Sequence, residues 1–247
     1  MSDLTGTTLT LGLPFFSGSR KKVREIIEDF GNSAQSTSVV FANAHVVVEA
    51  NHDSHFRDLL NSASLVVPDG VPITWVMHFL GLKEAERYSG PDLMEDLFLQ
   101  TKDKRHFFLG SSPTVLEGIK NRFQGLACGF YSPPFAAQFS EEEKEKQIDL
   151  IEKANADYIW VGLGAPKQEK YVVDMSKKSK KGVWLAVGAA FDFYGGNKAR
   201  APKALQNMGL EWAFRMFTEP RRLAIRYFKT NPVFMGLAIR EILRNLL

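Results

Sequence analysis

Short apolar runs alternate along this chain with segments whose apolar residues recur at helical spacing. The runs are Leu9–Leu13, Ser38–Ala42, Leu65–Val67, His106–Leu109, Ala127–Phe130, Tyr158–Leu163 and Val183–Val187. They have strand length and are β-branched or otherwise apolar. Between them, Arg20–Phe30, Pro91–Thr101, Pro113–Phe123, Glu141–Ala154 and Gln168–Lys177 place apolar residues three or four apart, as a helix with one buried face does. Asp92 and Ser112–Pro113 look like helix starts. Strands that are apolar throughout are buried on both faces, and alternating helices supply that cover. The pattern predicts an α/β fold around a mostly parallel sheet. Such sheets take ligands outside the carboxyl ends of their strands, so the loops leaving each strand are where chemistry is expected.

The alternation stops near Gly195. Beyond it Ala204–Phe217 and Arg221–Phe228 read as helices divided by Pro220, and Phe234–Leu247 reads as a last helix after Asn231–Pro232. The chain therefore divides into a body, residues 1–197, and a helical appendage, residues 198–247. Charge follows the same division. The appendage has ten bases against three acids, a net of +7, so with +3 overall the body carries −4. A basic end on a mildly acidic body points to a polyanionic partner, phosphate or anionic lipid.

Composition adds limits. At 247 residues, 45% hydrophobic and 24% charged, the chain suits one large α/β domain with an appendage and is not disordered. A single cysteine, Cys128, excludes an internal disulfide framework and fits a reducing compartment. The start lacks a basic stretch followed by a long apolar one. The longest apolar stretch, Val66–Leu82, is broken by Pro68, Asp69, Pro72 and His78, whereas spanning a bilayer takes about 20 apolar residues. A cytoplasmic protein is expected.

Four strand-end loops carry candidate chemistry. Val39–Ala42 leads into Asn43, whose amide offers a donor and an acceptor; it reads equally as the N-cap of a helix from Ala44. Leu65–Val67 leads into Pro68-Asp69-Gly70, which holds a carboxylate where a base could take an acceptor's proton; an ordinary Asp-Gly turn is the plainer alternative. The third loop, Gly162-Leu163-Gly164-Ala165-Pro166-Lys167-Gln168, allows close backbone approach before a helix N-terminus, a place that favours a diphosphate. Gln168 is placed to hydrogen-bond a base or a sugar. In the fourth, Gly188-Ala189-Ala190-Phe191-Asp192-Phe193, small residues admit a ligand and Phe191 or Phe193 could stack on a nucleobase, while tight core packing explains the same residues.

No Asp-x-Asp pair, the usual clamp for a metal–nucleotide-sugar complex, is present. His52-Asp53-Ser54-His55 has no matching partner set and reads as a solvated helical face. His78 and His106 sit among apolar residues and read as core histidines.

Taken together the loops resemble the WecG/TagA/CpsF glycosyltransferase family over nearly the whole chain. The carriers are Asn43–Val47, Pro68–Pro72, Arg87 with Gly90–Leu93, Phe107–Gly110, Val161–Glu169 and Val187–Phe193. Lys198, Arg200–Pro202, Gly209–Trp212, Arg215 and Glu219–Leu223 follow in the same order. The resemblance implies a Rossmann-like body and an inverting transferase that needs neither metal nor cofactor. It implies a UDP-linked donor of N-acetylmannosamine, its uronate or a glucose-type sugar, and an acceptor sugar on undecaprenyl diphosphate. The family's base falls on Asp69, and its donor-pocket residues fall on Asn43, Arg87 and Gln168. Gly162, Gly164, Gly188, Phe191 and Asp192 belong with that pocket. Lys198, Arg200, Arg215, Arg221, Arg222 and Arg226 fall in its basic appendage, expected to meet the diphosphate and an anionic membrane surface on the inner face of the cell membrane. A homo-oligomer is compatible with this reading; nucleic acid is not an expected partner. One departure stands out: many members have Thr-Pro before the asparagine, and here those places are Phe41 and Ala42.

Two other classes fit less well. A nicotinamide-dependent oxidoreductase would show Gly-x-Gly-x-x-Gly after the first strand and an acidic partner downstream, and neither is found. A nucleic-acid or membrane adaptor using only the basic end would leave the four loops unexplained.

Overall fold

The computed structural model describes residues 6–123, 125 and 127–246; the side chains of Leu99, Asn207 and Arg222 lie outside that description. Eight strands form one sheet: β1 (Thr7–Thr10), β2 (Leu13–Phe16), β3 (Ser36–Ala42), β4 (Leu65–Pro68), β5 (His106–Gly110), β6 (Ala127–Tyr131), β7 (Tyr158–Gly162) and β8 (Gly182–Ala186). Their order is β1-β2-β4-β3-β8-β7-β5-β6, parallel except for β1. The helices of the body are α1 (Arg20–Asn32), α2 (Ala44–His52), α3 (Ser54–Asn61), α4 (Val71–Phe79), α5 (Gly90–Gln100), α6 (Pro113–Arg122), α7 (Glu141–Lys153), α8 (Lys167–Lys178) and α9 (Ala190–Tyr194). The rest is α10 (Lys203–Asn207), α11 (Glu211–Thr218) and α12 (Pro220–Leu246).

The continuous apolar strands are explained by a core on each face of the sheet. Along β3, Val40 and Ala42 enter one core with Val46, Phe56 and Val172, while Val39 and Phe41 enter the other with Ile26, Leu93 and Leu185. Alternate residues of a strand point to opposite faces, so both sets must be apolar. Trp160 and Trp184, on neighbouring strands, are both fully buried. His106 is a core histidine, as read: it accepts from Trp160 Nε1 at 3.1 Å and stacks on Phe98.

Three expectations are corrected. Leu9–Leu13 is not one strand but the turn of a hairpin, since Leu11 and Gly12 have φ of 53° and 81° and Thr10 pairs with Leu13. Two successive positive φ values make a tight turn whose twist suits a hairpin. The stretch Ala204–Phe217 is divided into α10 and α11 around Gly209, at φ 72°. Pro232 does not separate two helices: α12 runs through it for 27 residues. A proline there removes one backbone bond, to the carbonyl four residues back, that of Phe228. Both residues are exposed, so water can satisfy that carbonyl.

The appendage packs on the body. Phe234 and Ala238 of α12 enter the core that holds α2, and Leu223 is fully buried. Among the described residues no helix is long and apolar enough to cross a membrane.

Candidate active site

β4, β3, β8 and β7 are four consecutive strands in the sheet. Their carboxyl ends deliver Asp69, Asn43, Gly188 and Gly164 to one edge, so the four loops singled out in the sequence converge. Strands stand about 4.8 Å apart, so neighbouring loops are within reach of one small ligand. Register makes the first pair adjacent: Ala42 lies opposite Pro68, and Asp69 N–H donates to the Ala42 carbonyl at 2.9 Å. Gly70, at φ 146°, turns the chain directly into α4, a conformation a side chain would oppose.

Asp69 is half-buried, with burial pushing its carboxyl up to about 6. The Arg87 and Arg215 guanidiniums act against that rise, and the Glu211 and Asp92 carboxylates add to it. A carboxylate so placed is still mostly ionised at neutral pH, yet is a stronger base than a solvated one.

Asn43 is the helix N-cap that the sequence allowed. Its Oδ1 accepts from His45 and Val46 N–H at 3.0 and 3.3 Å and so caps α2. That cap fixes the side chain beside Asp69. Gln168 is 5% exposed and engaged at both ends: Oε1 accepts from Gly164 N–H at 3.0 Å, and Nε2 donates to Glu169 Oε1 at 2.9 Å. It holds the third loop and lies against Gly188, where an added Cβ would come within 2.9 Å of Nε2. Gly162 is small for a packing reason, since a Cβ there would meet the Phe191 ring at 2.5 Å. Phe191 is 1% exposed and packs edge-on to Phe108, so its ring belongs to the core. Phe193, nearer the surface, lies under the Arg215 guanidinium at 5.7 Å. Phe41, the departure from the family pattern, points into the core edge-on to Tyr88, and Tyr88 N–H donates to the Pro68 carbonyl at 3.0 Å beside the Asp69 turn.

An ion-pair network ties the appendage to this edge. Arg87 donates to Glu211 at 3.1 Å and lies 3.6 Å from Asp92. Arg200 pairs closely with Asp92 and lies 3.5 Å from both Glu211 and Glu95. Lys198 sits 2.7 Å from Asp192 and 3.0 Å from Glu219, which Arg215 approaches at 3.7 Å. Against the desolvation that would raise it, Arg200, Ser89 and Arg87 hold Asp92 below the usual carboxylate range. Arg226 reaches the buried side of α12: burial first, then the Arg226 charge, lowers His45. Arg221 is exposed, and the Arg222 side chain lies outside the described residues. Asp92 does stand in the first turn of a helix, as the sequence predicts, but its pairing with Arg87 and Arg200 is not legible there. For Glu211 and Glu219 a signal exists: acids set among the bases of a strongly basic segment mark pairing positions.

A cleft of about 680 Å³ is lined by Phe98, Arg122, Phe193, Tyr194, Lys198 and Arg200 among others, so it reaches the end of the fourth loop and the ion-pair network, but Asp69, Asn43 and Gln168 do not line it. Among the described residues no group of three or more His, Cys, Asp or Glu could hold a metal ion. Asp53, from the His52–His55 stretch, caps α3 and pairs with Lys170 at 3.2 Å.

Comparison with known proteins gives the class. A model described as the glycosyl transferase WecG/TagA/CpsF family matches residues 8–246, and the chain is a glycosyltransferase. It belongs to the WecG/TagA/CpsF family. A Bacillus spizizenii protein named N-acetylglucosaminyldiphosphoundecaprenol N-acetyl-beta-D-mannosaminyltransferase is 30% identical over 190 residues, 74% of this chain and 72% of that one. A Staphylococcus aureus protein of the same name is 26% identical over 233 residues, 91% of this chain and 89% of that one.

Proposed function

We propose that the chain transfers N-acetylmannosamine from a UDP-linked donor to N-acetylglucosamine carried on undecaprenyl diphosphate, with inversion and without a divalent metal. The names of the two relatives favour that sugar and that acceptor over the uronate and glucose-type donors the family also uses. The observation that carries the reading is Asp69, a carboxylate raised to about 6 at the strand edge where Asn43 and both glycine loops meet.

In the proposed step Asp69 takes the proton from the acceptor hydroxyl. The freed oxygen bonds to the anomeric carbon from the face opposite the diphosphate. The bond from that carbon to the phosphate oxygen breaks, and its electron pair leaves with UDP. Charge growing on UDP is met by N–H groups at the start of α8 and by arginines, a preorganised arrangement that acts most strongly where charge develops. The missing Asp-x-Asp pair supports a metal-free route.

Docking on an anionic membrane surface is part of the same reading, because the acceptor stays in the membrane. On α12, Ile225, Phe228, Met235, Ile239, Leu243 and Leu246 are exposed along one stripe, opposite Leu223, Thr230, Phe234 and Ala238, which are buried. At 100° per residue, Lys229, Arg240 and Arg244 flank that stripe on one side. An apolar stripe beside bases is the surface of an interfacial helix. Trp75 and Phe79 of α4, also exposed, extend the apolar surface.

Asp69→Asn tests the base. Turnover should fall roughly 100- to 10,000-fold while UDP still binds. Near-normal turnover would remove Asp69 from the mechanism.

A further inference from the structure

Glu169 is the most completely buried carboxyl group near the strand edge. It stands in the first turn of α8, is 1% exposed, and receives Gln168 Nε2 on Oε1 at 2.9 Å. Its Oε2 is buried with no hydrogen-bond partner among the described residues. An ionised carboxylate with an oxygen left bare in the interior is strongly disfavoured, whereas a carboxylic acid carries an O–H that can be offered as a donor.

We propose that Glu169 is a positioning residue of the transfer reaction that works in its neutral form, one oxygen holding Gln168 and the other keeping a proton in the buried space under the strand edge. The inference rests on the reading of Asp69 as the base. Gln168, which the carboxyl holds, accepts from Gly164 N–H and lies beside the Gly188 turn, so two of the four loops meet at the side chain that Glu169 positions. The charges that reach it are few. Burial is the chief influence, raising Glu169 to about 7; the Gln168 bond opposes this, the Asp69 carboxylate adds to it, and the Arg226 guanidinium of α12 opposes it. The other charged pairs on α8, Lys170 with Asp53 of the α2–α3 junction and Lys178 with Glu141 of α7, lie at the surface. Two carboxyls that feel each other lose their protons in sequence. Asp69 ionises first, and its charge helps Glu169 keep a proton. The working state has Asp69 ionised and Glu169 neutral. Once Glu169 also ionises, a second buried negative charge stands under the edge where the donor's diphosphate is proposed to bind.

The test is the pH dependence of turnover in the full-length enzyme with a lipid-diphosphate-sugar acceptor. Wild type should rise through about 6 as Asp69 ionises and decline above about 7 as Glu169 does. Glu169→Gln keeps the shape and a donor but cannot ionise. It should retain the rise and lose the decline, with KM for the donor at alkaline pH several-fold below that of wild type. A decline that persists unchanged in Glu169→Gln, or its absence from wild type, overturns the proposal. Absence of the rise overturns the Asp69 reading instead, so the two failures are distinct. Infrared difference spectra of wild type give a measurement independent of how the variant folds. Repeating the spectra on Asp69→Asn, which removes the other raised carboxyl, assigns the band: a protonated-carboxyl band still present at about pH 6 supports the proposal, and its absence there contradicts it.

Discussion

Asp69 titrates near 6 in the folded chain against 3.8 for a free aspartate, so its ionised form opposes folding. The sign follows from linkage. Below the unfolded value both states are protonated and Asp69 contributes no difference. As pH rises the unfolded chain ionises first, and stability is lost until the folded group ionises too. Asp69→Asn should therefore melt at or above the wild-type temperature at about pH 8, with the gain vanishing below about pH 4. Melting curves at the two pH values check this, and a variant that melts lower at about pH 8 would show that Asp69 supports the fold. Asp69 was legible in the sequence because proline and glycine frame it after an apolar strand. Core packing of Phe191 was one of two readings the sequence left open, and the structure selects it; the double engagement of Gln168 was not legible. A glycine that admits a ligand and a glycine that admits a phenylalanine ring read alike, and only the 2.5 Å approach of Phe191 to Gly162 separates them. Glu169 is not legible in the sequence, since burial of one carboxylate in a charged helix start leaves no mark in composition.

At the scale of elements, β3 to β8 and the helices α1 and α5 to α8 were legible to within a few residues, because two-sided burial writes continuous apolar strands. The hairpin at Leu11–Gly12 was hidden because leucine replaces the asparagine or aspartate that usually announces such a turn. The continuity of α12 was hidden because proline normally ends a helix, and its tolerance here depends on exposure of Phe228 and Pro232 that only the packing on α2 decides. That packing has a functional consequence: with Phe234 and Ala238 facing inward, the opposite stripe is presented to solvent. Replacing Phe228 and Ile239 together by serine should weaken flotation with anionic liposomes several-fold and leave the melting temperature within a few degrees. Binding should also fall with added salt, since bases near an anionic surface contribute about 1 kcal/mol each and are screened. Unchanged flotation of the double variant would place the membrane contact elsewhere.

At the scale of the molecule, the body and its basic end are joined by charge. Arg87 and Asp92 from the body meet Arg200 and Glu211 from the segment beyond residue 197, and Asp192 meets Lys198. The net of +7 read from the sequence is thus partly spent on internal pairs, while Lys229, Arg240 and Arg244 of α12 are exposed beside its apolar stripe. Arg215, from the segment beyond residue 197, lies within electrostatic reach of Asp69. The central claim is metal-free transfer of N-acetylmannosamine from UDP to a lipid-diphosphate-linked N-acetylglucosamine. Its most direct test offers the full chain a panel of UDP-sugars and a short-chain lipid diphosphate bearing N-acetylglucosamine, in excess EDTA, and weighs the product. The expected product is acceptor heavier by one N-acetylhexosamine residue with UDP-N-acetylmannosamine, with EDTA making no difference. Product that appears only when magnesium or manganese is restored, or acceptor unchanged with every UDP-sugar, would contradict it.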